Sequence, residues 1–272
     1  MIATESRNPK TMHIDKATTE EMLSMIQEEN FRAVEAVGEA MPSIAKAVDA
    51  ITEGIENGGR LIYIGAGTSG RLGVMDAAEC PPTFGVSPEL VCGIIAGGEG
   101  CMFRAAEGEE DSAERGVADI REKNLIPADR VVGISASGNA AYVAEALAYA
   151  RSVGCITIGV SCNYEGRLAN ESDIAVITNT GPEVVSGSTR MKAGTAQKLI
   201  LNMFSTCAMI KTGKVCENLM INLRPTNIKL RRRVISIVKE LCGYDDDTAT
   251  AKLDKYDWVI RDVVDEHKRE TV

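Results

Sequence analysis

The sequence has few of the residues from which metal centres are built. Only two histidines, His13 and His267, occur among the 272 residues, and they lie near opposite ends of the chain. Eight cysteines are present, but no two have the C-x-x-C spacing that zinc sites use. The sequence therefore predicts no metal site, and we expect the thiols to be small, buried, apolar side chains.

Long apolar runs and a basic charge excess are also missing. No stretch approaches the roughly 20 apolar residues of a membrane span, and residues 1–10 lack the apolar core of a signal peptide. Cysteines without a secretion signal predict a reducing, cytoplasmic location. The formal net charge of −9 argues against nucleic acid as a partner. It does not exclude a phosphate site, because backbone amides and a few local cations suffice to build one.

What the chain does contain is a regular alternation of short apolar runs and helical patterns. The runs predict strands at 61–64, 91–96, 130–134, 155–160 and 174–177. Helices are predicted at 19–29, 31–57, 102–123, 140–152, 189–212, 229–241 and 245–268. Alternation of this kind is typical of an α/β fold with a parallel sheet covered by helices on both faces, a Rossmann-like three-layer sandwich. We expect an N-terminal arm with helices (1–57), a sheet domain (58–223) and a helical tail (224–272).

A glycine-rich loop, residues 65–70, follows the first predicted strand and opens a helix. Free amides and the positive end of a helix dipole make such a loop an anion site. Its G-x-G-x-x-G spacing also fits a dinucleotide, but the second strand ends in Ala96-Gly97-Gly98 and lacks the acid that would hold a ribose. The loop therefore favours phosphate over a dinucleotide, and a tight turn without a ligand is the alternative.

Two further hydroxyl-rich segments support the phosphate interpretation. Residues 135–138 (SASG) follow the third strand, and residues 186–192 (SGSTRMK) bring hydroxyls and two cations to the start of a long helix. The carboxyl ends of parallel strands share one edge, where ligands bind. Each segment alone could be an ordinary helix cap, but the three together indicate a phosphorylated metabolite.

Two acidic positions could carry chemistry. Pro81 and Pro82 are expected to end a helix, which would place Glu79 in its last turn, where the dipole favours a protonated carboxyl. A surface glutamate at a helix end is the plainer interpretation. The acidic cluster at 107–111 (EGEED) is expected at the middle of a helix, and the pattern alone does not select one of its carboxylates.

Several long motifs carry a resemblance to a known family. GAGTSGRLG, DAAECPPTFGV, IIAGGE, EGEEDS and SGSTRMKAGTAQK occur in that order. They resemble the sugar isomerase (SIS) domain and, more closely, the N-acetylmuramic acid 6-phosphate etherases. The resemblance implies an SIS phosphosugar-binding domain at 58–223 in a cytoplasmic, homodimeric lyase of bacterial cell-wall sugar recycling, with no metal or organic cofactor. Such enzymes release D-lactate and N-acetylglucosamine 6-phosphate by elimination and then hydration.

The resemblance also implies roles for individual residues. Glu79 and Glu110 fall on the family's catalytic glutamates. The residues implied as phosphate or sugar contacts are Ser69, Ser135, Ser137 and Ser188, followed by Thr68 and Lys192. The chain departs from the family at 139–141, where Asn-Ala-Ala replaces Arg-Thr-Pro, and in a shorter C-terminal tail. A sugar-phosphate-binding regulator, such as the glucokinase regulator, and an aldose–ketose isomerase remain as alternatives on the same fold.

Overall fold

The computed structural model describes residues 3–223, 225 and 228–271. These residues form two compact units. The first comprises the chain up to Ala78 together with Glu89–Ala208, and the second comprises Glu79–Pro88 and the chain from Met209 onward. The predicted boundary between the sheet domain and the tail, at Arg224, lies outside the described residues. The three-part division predicted from the sequence stays a prediction.

The first unit is built on a five-stranded parallel sheet. Its strands are β1 (Leu61–Gly65), β2 (Val91–Ile95), β3 (Arg130–Ile134), β4 (Ile156–Ser161) and β5 (Ile174–Ile177). Their order across the sheet is β2-β1-β3-β4-β5. All five predicted strands are confirmed to within one residue at each end. The runs are continuously apolar because helices cover both faces of the sheet.

Seven α-helices belong wholly or mainly to this unit as the structure describes it. They are α1 (Thr19–Glu39), α2 (Met41–Glu56), α3 (Gly67–Phe84), α4 (Ala113–Arg121), α5 (Ala141–Val153), α6 (Arg167–Glu171) and α7 (Lys192–Lys211). Ile62 and Ile64 pack with α5 in one buried cluster on one face. Tyr63 points to the other face, where its hydroxyl donates to Asp76 of α3 at 2.9 Å. The α/β sandwich is therefore confirmed.

The N-terminal helices confirm one prediction and correct another. The predicted start at Thr19 is confirmed, and Thr18 and Glu21 form a reciprocal capping box there. The break between the two helices, predicted near Asn30, lies instead at Ala40. The cause is Pro42, which occupies the first turn of α2, where a missing N–H leaves no helical hydrogen bond unmade.

Pro81 and Pro82 do not end α3, so that prediction is wrong. The helix continues to Phe84, and the amide of Gly85 still donates to the carbonyl of Pro81 at 2.9 Å. Proline removes a donor but has a helical φ, so a helix can tolerate two prolines close to its C-terminus. Glu79 therefore lies more than one turn before the helix end, and the dipole there is weaker than expected.

The predicted helix at 102–123 is also largely wrong. Only Ala113–Arg121 is α-helical, and it is preceded by short 3-10 turns at Glu99–Met102 and Glu109–Asp111. Gly108 has φ +77°, a left-handed conformation that interrupts a helix. Ser112 then caps α4 by accepting from the amide of Arg115. Glu110 consequently lies in a 3-10 turn and not at mid-helix.

The second unit contains a small hairpin and three helices within its described part. They are β6 (Val215–Cys216), β7 (Leu219–Met220), α8 (Ile228–Cys242), α9 (Asp246–Lys255) and α10 (Ile260–Glu270). Asp245 caps α9 by accepting from the amide of Thr248 at 2.8 Å. The single last helix predicted over 245–268 is two helices, because Asp257 and Trp258 both have positive φ.

Among the residues described, no helix combines the length and apolar character that crossing a bilayer requires. Within the same residues, no three histidine, cysteine or acidic side chains are grouped so that they could hold a metal ion.

Candidate active site

The strand order creates a crevice at one point of the sheet. From β1 the chain crosses to β2 on one side, whereas from β3 it crosses to β4 on the other. In open α/β sheets, ligands bind outside the carboxyl ends of the strands where the order reverses in this way. Gly65, the last residue of β1, pairs with Ile134, the last residue of β3. The loops that follow these two strands therefore begin side by side, as predicted.

The first of these loops is held tight by its glycines. A Cβ on Gly70 would lie 2.5 Å from the carbonyl oxygen of Gly65 and 2.8 Å from Cγ1 of Ile95. Gly67, with φ +54°, begins α3 directly. The first amides of α3 have no carbonyl earlier in the helix to bond, so they form the positive end of its dipole at this edge of the sheet.

The hydroxyl side chains of this loop face α7. Ser69 is buried, and its Oγ donates to Oε1 of Gln197 at 2.9 Å. Cγ2 of Thr68 lies 3.3 Å from the position that a Cβ on Gly194 would occupy. The helix that follows the third hydroxyl segment is thus packed directly on the first loop.

The second loop holds its serines through hydrogen bonds to its own backbone. Oγ of Ser135 accepts from the amide of Gly138 at 3.1 Å, and Oγ of Ser137 accepts from the amide of Asn139 at 3.2 Å. The two hydroxyls are 3.3 Å apart. Because one bond between them uses only one hydroxyl hydrogen, the pair retains a hydrogen that can be donated to an anion.

Asn139 occupies the position where related sequences were expected to carry an arginine. Its Oδ1 accepts from the amide of Arg167 at 3.0 Å, so it caps the start of α6. The guanidinium of Arg167 pairs with Glu145 and Glu171. The second loop therefore offers hydroxyls and amides but no positive charge from position 139.

The start of α7 differs from the other two helix starts, because it already holds a carboxylate. Glu183 is fully buried and accepts from the amides of Lys192 and Ala193, both at 2.9 Å. The ammonium of Lys192, only 2% exposed, pairs with Glu29. Ser188 is half-buried in the segment just before. Of the two cations expected to be open at this helix start, Lys192 is therefore already paired with Glu29. A phosphate contact by Lys192 or Ser188 stays a prediction.

The pair between Lys192 and Glu29 lies beside the N-terminal arm. Burial raises the pKa of Glu29, but the ammonium of Lys192, the amide of Asn8 and the charge of Lys10 outweigh burial and lower it below its ordinary value. Glu29 is therefore ionised at neutral pH, and its charge neutralises that of Lys192.

Two neighbouring acids of the cluster at 107–111 differ in their surroundings. Glu109 pairs with Arg115, and its Cγ lies 3.2 Å from the position of a Cβ on Gly97, at the end of β2. Glu110, the next residue, is exposed in the same 3-10 turn, which packs against α5. Glu79 is exposed on α3. Both predicted catalytic carboxylates are open to solvent, and their roles remain predictions.

Two buried polar residues of α3 and α7 are not among the residues predicted from the sequence. Gln197 contacts Ser69, as described above. Asp76 is buried in α3, where it accepts from Tyr63 and, at 2.7 Å, from Asn202 of α7. Burial raises the pKa of Asp76, and its hydrogen-bond donors partly oppose that rise. In the sequence, each of the two is an acid or amide in a helical segment whose other residues are mostly small and apolar. Many exposed residues have the same surroundings in the sequence, so this pattern does not identify a buried one.

Comparisons with known proteins show the family of the chain. Residues 43–151 match the glucokinase regulatory protein N-terminal SIS domain, and residues 109–206 match the SIS domain. A protein of Clostridium beijerinckii named N-acetylmuramic acid 6-phosphate etherase is 52% identical over 96% of this chain and 86% of its own length. The chain belongs to the N-acetylmuramic acid 6-phosphate etherase family. A second member of this etherase family, from Pectobacterium atrosepticum, is 50% identical over 94% of this chain and 84% of its own.

Solved structures of lower identity share the fold of this etherase-family chain. The phosphoheptose isomerase of Neisseria gonorrhoeae, at 19% identity, aligns with a TM-score of 0.54 over 70% of this chain and 98% of its own. That of Francisella tularensis, at 18% identity, has the same TM-score over 71% of this chain and 100% of its own. At such identities the likeness establishes the SIS fold alone.

Proposed function

We propose that this protein is a carbon–oxygen lyase that cleaves the D-lactyl ether of N-acetylmuramic acid 6-phosphate. The products are N-acetylglucosamine 6-phosphate and D-lactate. The observation that carries the proposal is the 52% identity to an etherase over 96% of the chain. The two hydroxyl loops side by side at the β1–β3 crevice support it, because they suit a phosphorylated sugar.

The reaction proceeds by elimination and then hydration. In the ring-opened sugar, the C1 aldehyde acidifies the proton at C2, and a base removes that proton. The electron pair forms a C2–C3 double bond while the C3–O bond breaks, and lactate leaves with the ether oxygen. Water then adds to C3, and a proton returns to C2. Every step is a proton transfer or a C–O bond change, which suits a pair of carboxylates.

We assign the two proton-transfer roles to Glu79 and Glu110. Glu110 removes the C2 proton, and Glu79 protonates the departing lactate oxygen and then activates the water. Both side chains are exposed, so substrate can reach them. In the acidic cluster, Glu109 forms an ion pair with Arg115, whereas Glu110 forms none within the described part of the chain. This difference supports the choice of Glu110.

The phosphate is proposed to lie between the two loops of the crevice. The amides at the start of α3 and the hydroxyls of Ser69, Ser135 and Ser137 are its donors, with Thr68 beside them. Ser188 and Lys192 belong to the same assignment. For Lys192 this requires that its buried pair with Glu29 be exchanged for the ligand. Hydroxyl and amide donors to an anionic oxygen form charge-assisted bonds, which are stronger than neutral ones.

Glutamine substitutions test these roles. With N-acetylmuramic acid 6-phosphate as substrate, Glu79→Gln and Glu110→Gln are each expected to reduce D-lactate release by roughly 100-fold or more, the usual contribution of a general acid or base. Glu107→Gln, an exposed acid in the same cluster, is the matched control and should keep nearly full activity. Normal lactate release by the Glu79→Gln, Glu110→Gln double variant would disprove the assignment.

We also propose that the protein is a cytoplasmic homodimer. The support for a dimer is a row of apolar side chains along α1: Leu23, Phe31 and Val34 are 62%, 60% and 56% exposed. An exposed apolar row of this kind marks an interaction surface. Phe31→Glu is expected to halve the mass measured by light scattering, whereas Ile126→Glu, at an exposed apolar residue of a loop, should leave the mass unchanged. A monomeric wild-type protein would contradict the dimer.

A further inference from the structure

Gln197 is a buried carboxamide whose NH2 group has no hydrogen-bond partner among the described residues. It is 1% exposed and lies on α7, between the fully buried residues Ala196 and Ile200. Its Oε1 accepts from Oγ of Ser69 at 2.9 Å. Among the residues described, its Nε2 is buried without a hydrogen-bond partner. A buried donor without a partner is costly, so its retention calls for a functional reason.

The bond to Ser69 has a consequence for anion binding. A serine hydroxyl has one hydrogen to donate, and in this arrangement Ser69 gives that hydrogen to Gln197. Only the oxygen lone pairs of Ser69 remain, and those repel a phosphate. Ser69 can therefore donate to a phosphate only if Gln197 ceases to be the acceptor.

The two ends of a carboxamide have nearly the same shape, so Gln197 can turn over about its last bond without disturbing α7. Nε2 then donates to Oγ of Ser69, and the hydroxyl hydrogen is released. The loop and α7 lie close together here, since Cγ2 of Thr68 is 3.3 Å from the position that a Cβ on Gly194 would occupy. Rotation of the carboxamide changes the hydrogen bond without moving either element.

We propose that Gln197 is a positioning residue that sets the direction of the Ser69 hydroxyl. When a phosphosugar binds, the carboxamide turns over, Nε2 donates to Ser69, and Ser69 donates to the phosphate. The neutral bond from Ser69 to Gln197 is replaced by a charge-assisted bond to the ligand. The inference rests on the proposed phosphosugar site and adds Gln197 to it.

The test measures binding of N-acetylglucosamine 6-phosphate by calorimetry, which needs no turnover. Gln197→Glu keeps an acceptor but has no donor, so it holds the Ser69 hydrogen permanently, and we expect binding to weaken by roughly 30-fold or more. Gln197→Met has a similar shape and releases Ser69 without orienting it, so the loss should be roughly fivefold. Thr195→Glu places the same charge on an exposed position of α7 and should change binding less than about twofold.

A double-mutant cycle with Ser69 distinguishes a positioning role of Gln197 from a merely structural one. In a Ser69→Ala background, Gln197→Met is expected to have no further effect on binding, because the hydroxyl that it orients is gone. In the lactate assay, Gln197→Met should raise KM while kcat stays within about threefold. The inference would be overturned if Gln197→Met weakened binding equally in the wild-type and Ser69→Ala backgrounds. It would also be overturned if Gln197→Glu bound the sugar phosphate as strongly as the wild type.

The proposed function and this inference fail in different ways. If the wild-type protein binds N-acetylglucosamine 6-phosphate with the expected dependence on Gln197 but releases no lactate, the etherase reaction is wrong and the inference stands. If lactate is released but the substitutions at Gln197 do not affect binding, the reaction stands and the inference is wrong. A wild-type protein that binds no phosphosugar would overturn both.

Discussion

At the scale of single residues, the buried carboxylates of the sheet unit are each matched by donors. Asp76 accepts from Tyr63, Asn202 and Ser205, three side chains that come from β1 and α7. Glu183 accepts from two amides of α7, and Glu29 accepts from Asn8 and pairs with Lys192. Buried charges without such partners are strongly destabilising. These residues therefore fix the positions of the helices beside the hydroxyl loops.

Removing Asp76 tests this structural role. Asp76→Ala deprives three buried or half-buried donors of their acceptor, so we expect the free energy of unfolding to fall by about 2–4 kcal/mol. Urea unfolding followed by circular dichroism measures the change. Met75→Ala, an exposed neighbour on α3, should stay within about 0.5 kcal/mol. A loss at Asp76 no larger than that at Met75 would show that the network contributes little.

The Glu29–Lys192 pair predicts a pH dependence of stability. The pKa of Glu29 is lowered in the folded state, so its contribution is complete above the unfolded value of 4.5 and is lost as the pH falls through the folded value. A Glu29→Gln, Lys192→Met double variant lacks this contribution. Its free energy of unfolding should therefore fall less steeply below about pH 4.5 than that of the wild type. Chemical unfolding over pH 3–6 measures both proteins. Unfolding free energies that fall in parallel for the wild type and the double variant would contradict a lowered pKa at Glu29.

At the scale of elements, the β1–α3 loop depends on close backbone approach. Gly65 and Gly70 leave no room for a Cβ on either residue. The glycines therefore bring the first turn of α3 against the end of β1. A turn of this kind is a condition for anion binding by a helix start.

Gly70→Ala is the substitution that tests this closeness. Its Cβ would lie 2.5 Å from a backbone oxygen, so the loop must shift, and we expect a loss of about 1–3 kcal/mol in unfolding free energy together with loss of phosphosugar binding. Gly38→Ala is the matched control, since nothing lies within 4 Å of its Cβ on helix α1. It should stabilise the protein by about 0.5–1 kcal/mol. Binding by Gly70→Ala at wild-type strength would show that the loop is not the anion site.

The elements also show which structural features were predictable. The five strands could be located because each is a short apolar run bounded by turns, and parallel strands that are buried on both faces have that pattern. The helix at 102–123 was misplaced because a left-handed Gly108 resembles any other glycine in a sequence. The end of α3 was misplaced because proline near a C-terminus removes donors without forcing the helix to stop.

At the scale of the whole molecule, strand order decides which loops are neighbours. The sequence placed the hydroxyl loops at one edge of the sheet, but apolar runs do not specify which strands are neighbours. The order β2-β1-β3-β4-β5 makes the two loops adjacent. The pairings of Lys192 with Glu29 and of Ser69 with Gln197 were equally hidden, because their partners lie 163 and 128 residues apart in the chain.

The central claim is that elimination breaks the lactyl ether and that water then adds to C3, where it leaves a hydroxyl group. The most direct measurement is mass spectrometry of the products formed from N-acetylmuramic acid 6-phosphate in ¹⁸O-water. Elimination followed by hydration predicts ¹⁸O at C3 of the sugar phosphate, beside any that exchanges at the C1 aldehyde, and none at the ether oxygen of D-lactate. In D2O it also predicts a solvent deuterium at C2, which direct displacement at C3 would not introduce. A Glu79→Gln protein should form both products roughly 100-fold or more slowly. Transfer of ¹⁸O to the lactate, or intact substrate after incubation with the wild-type protein, would contradict the account.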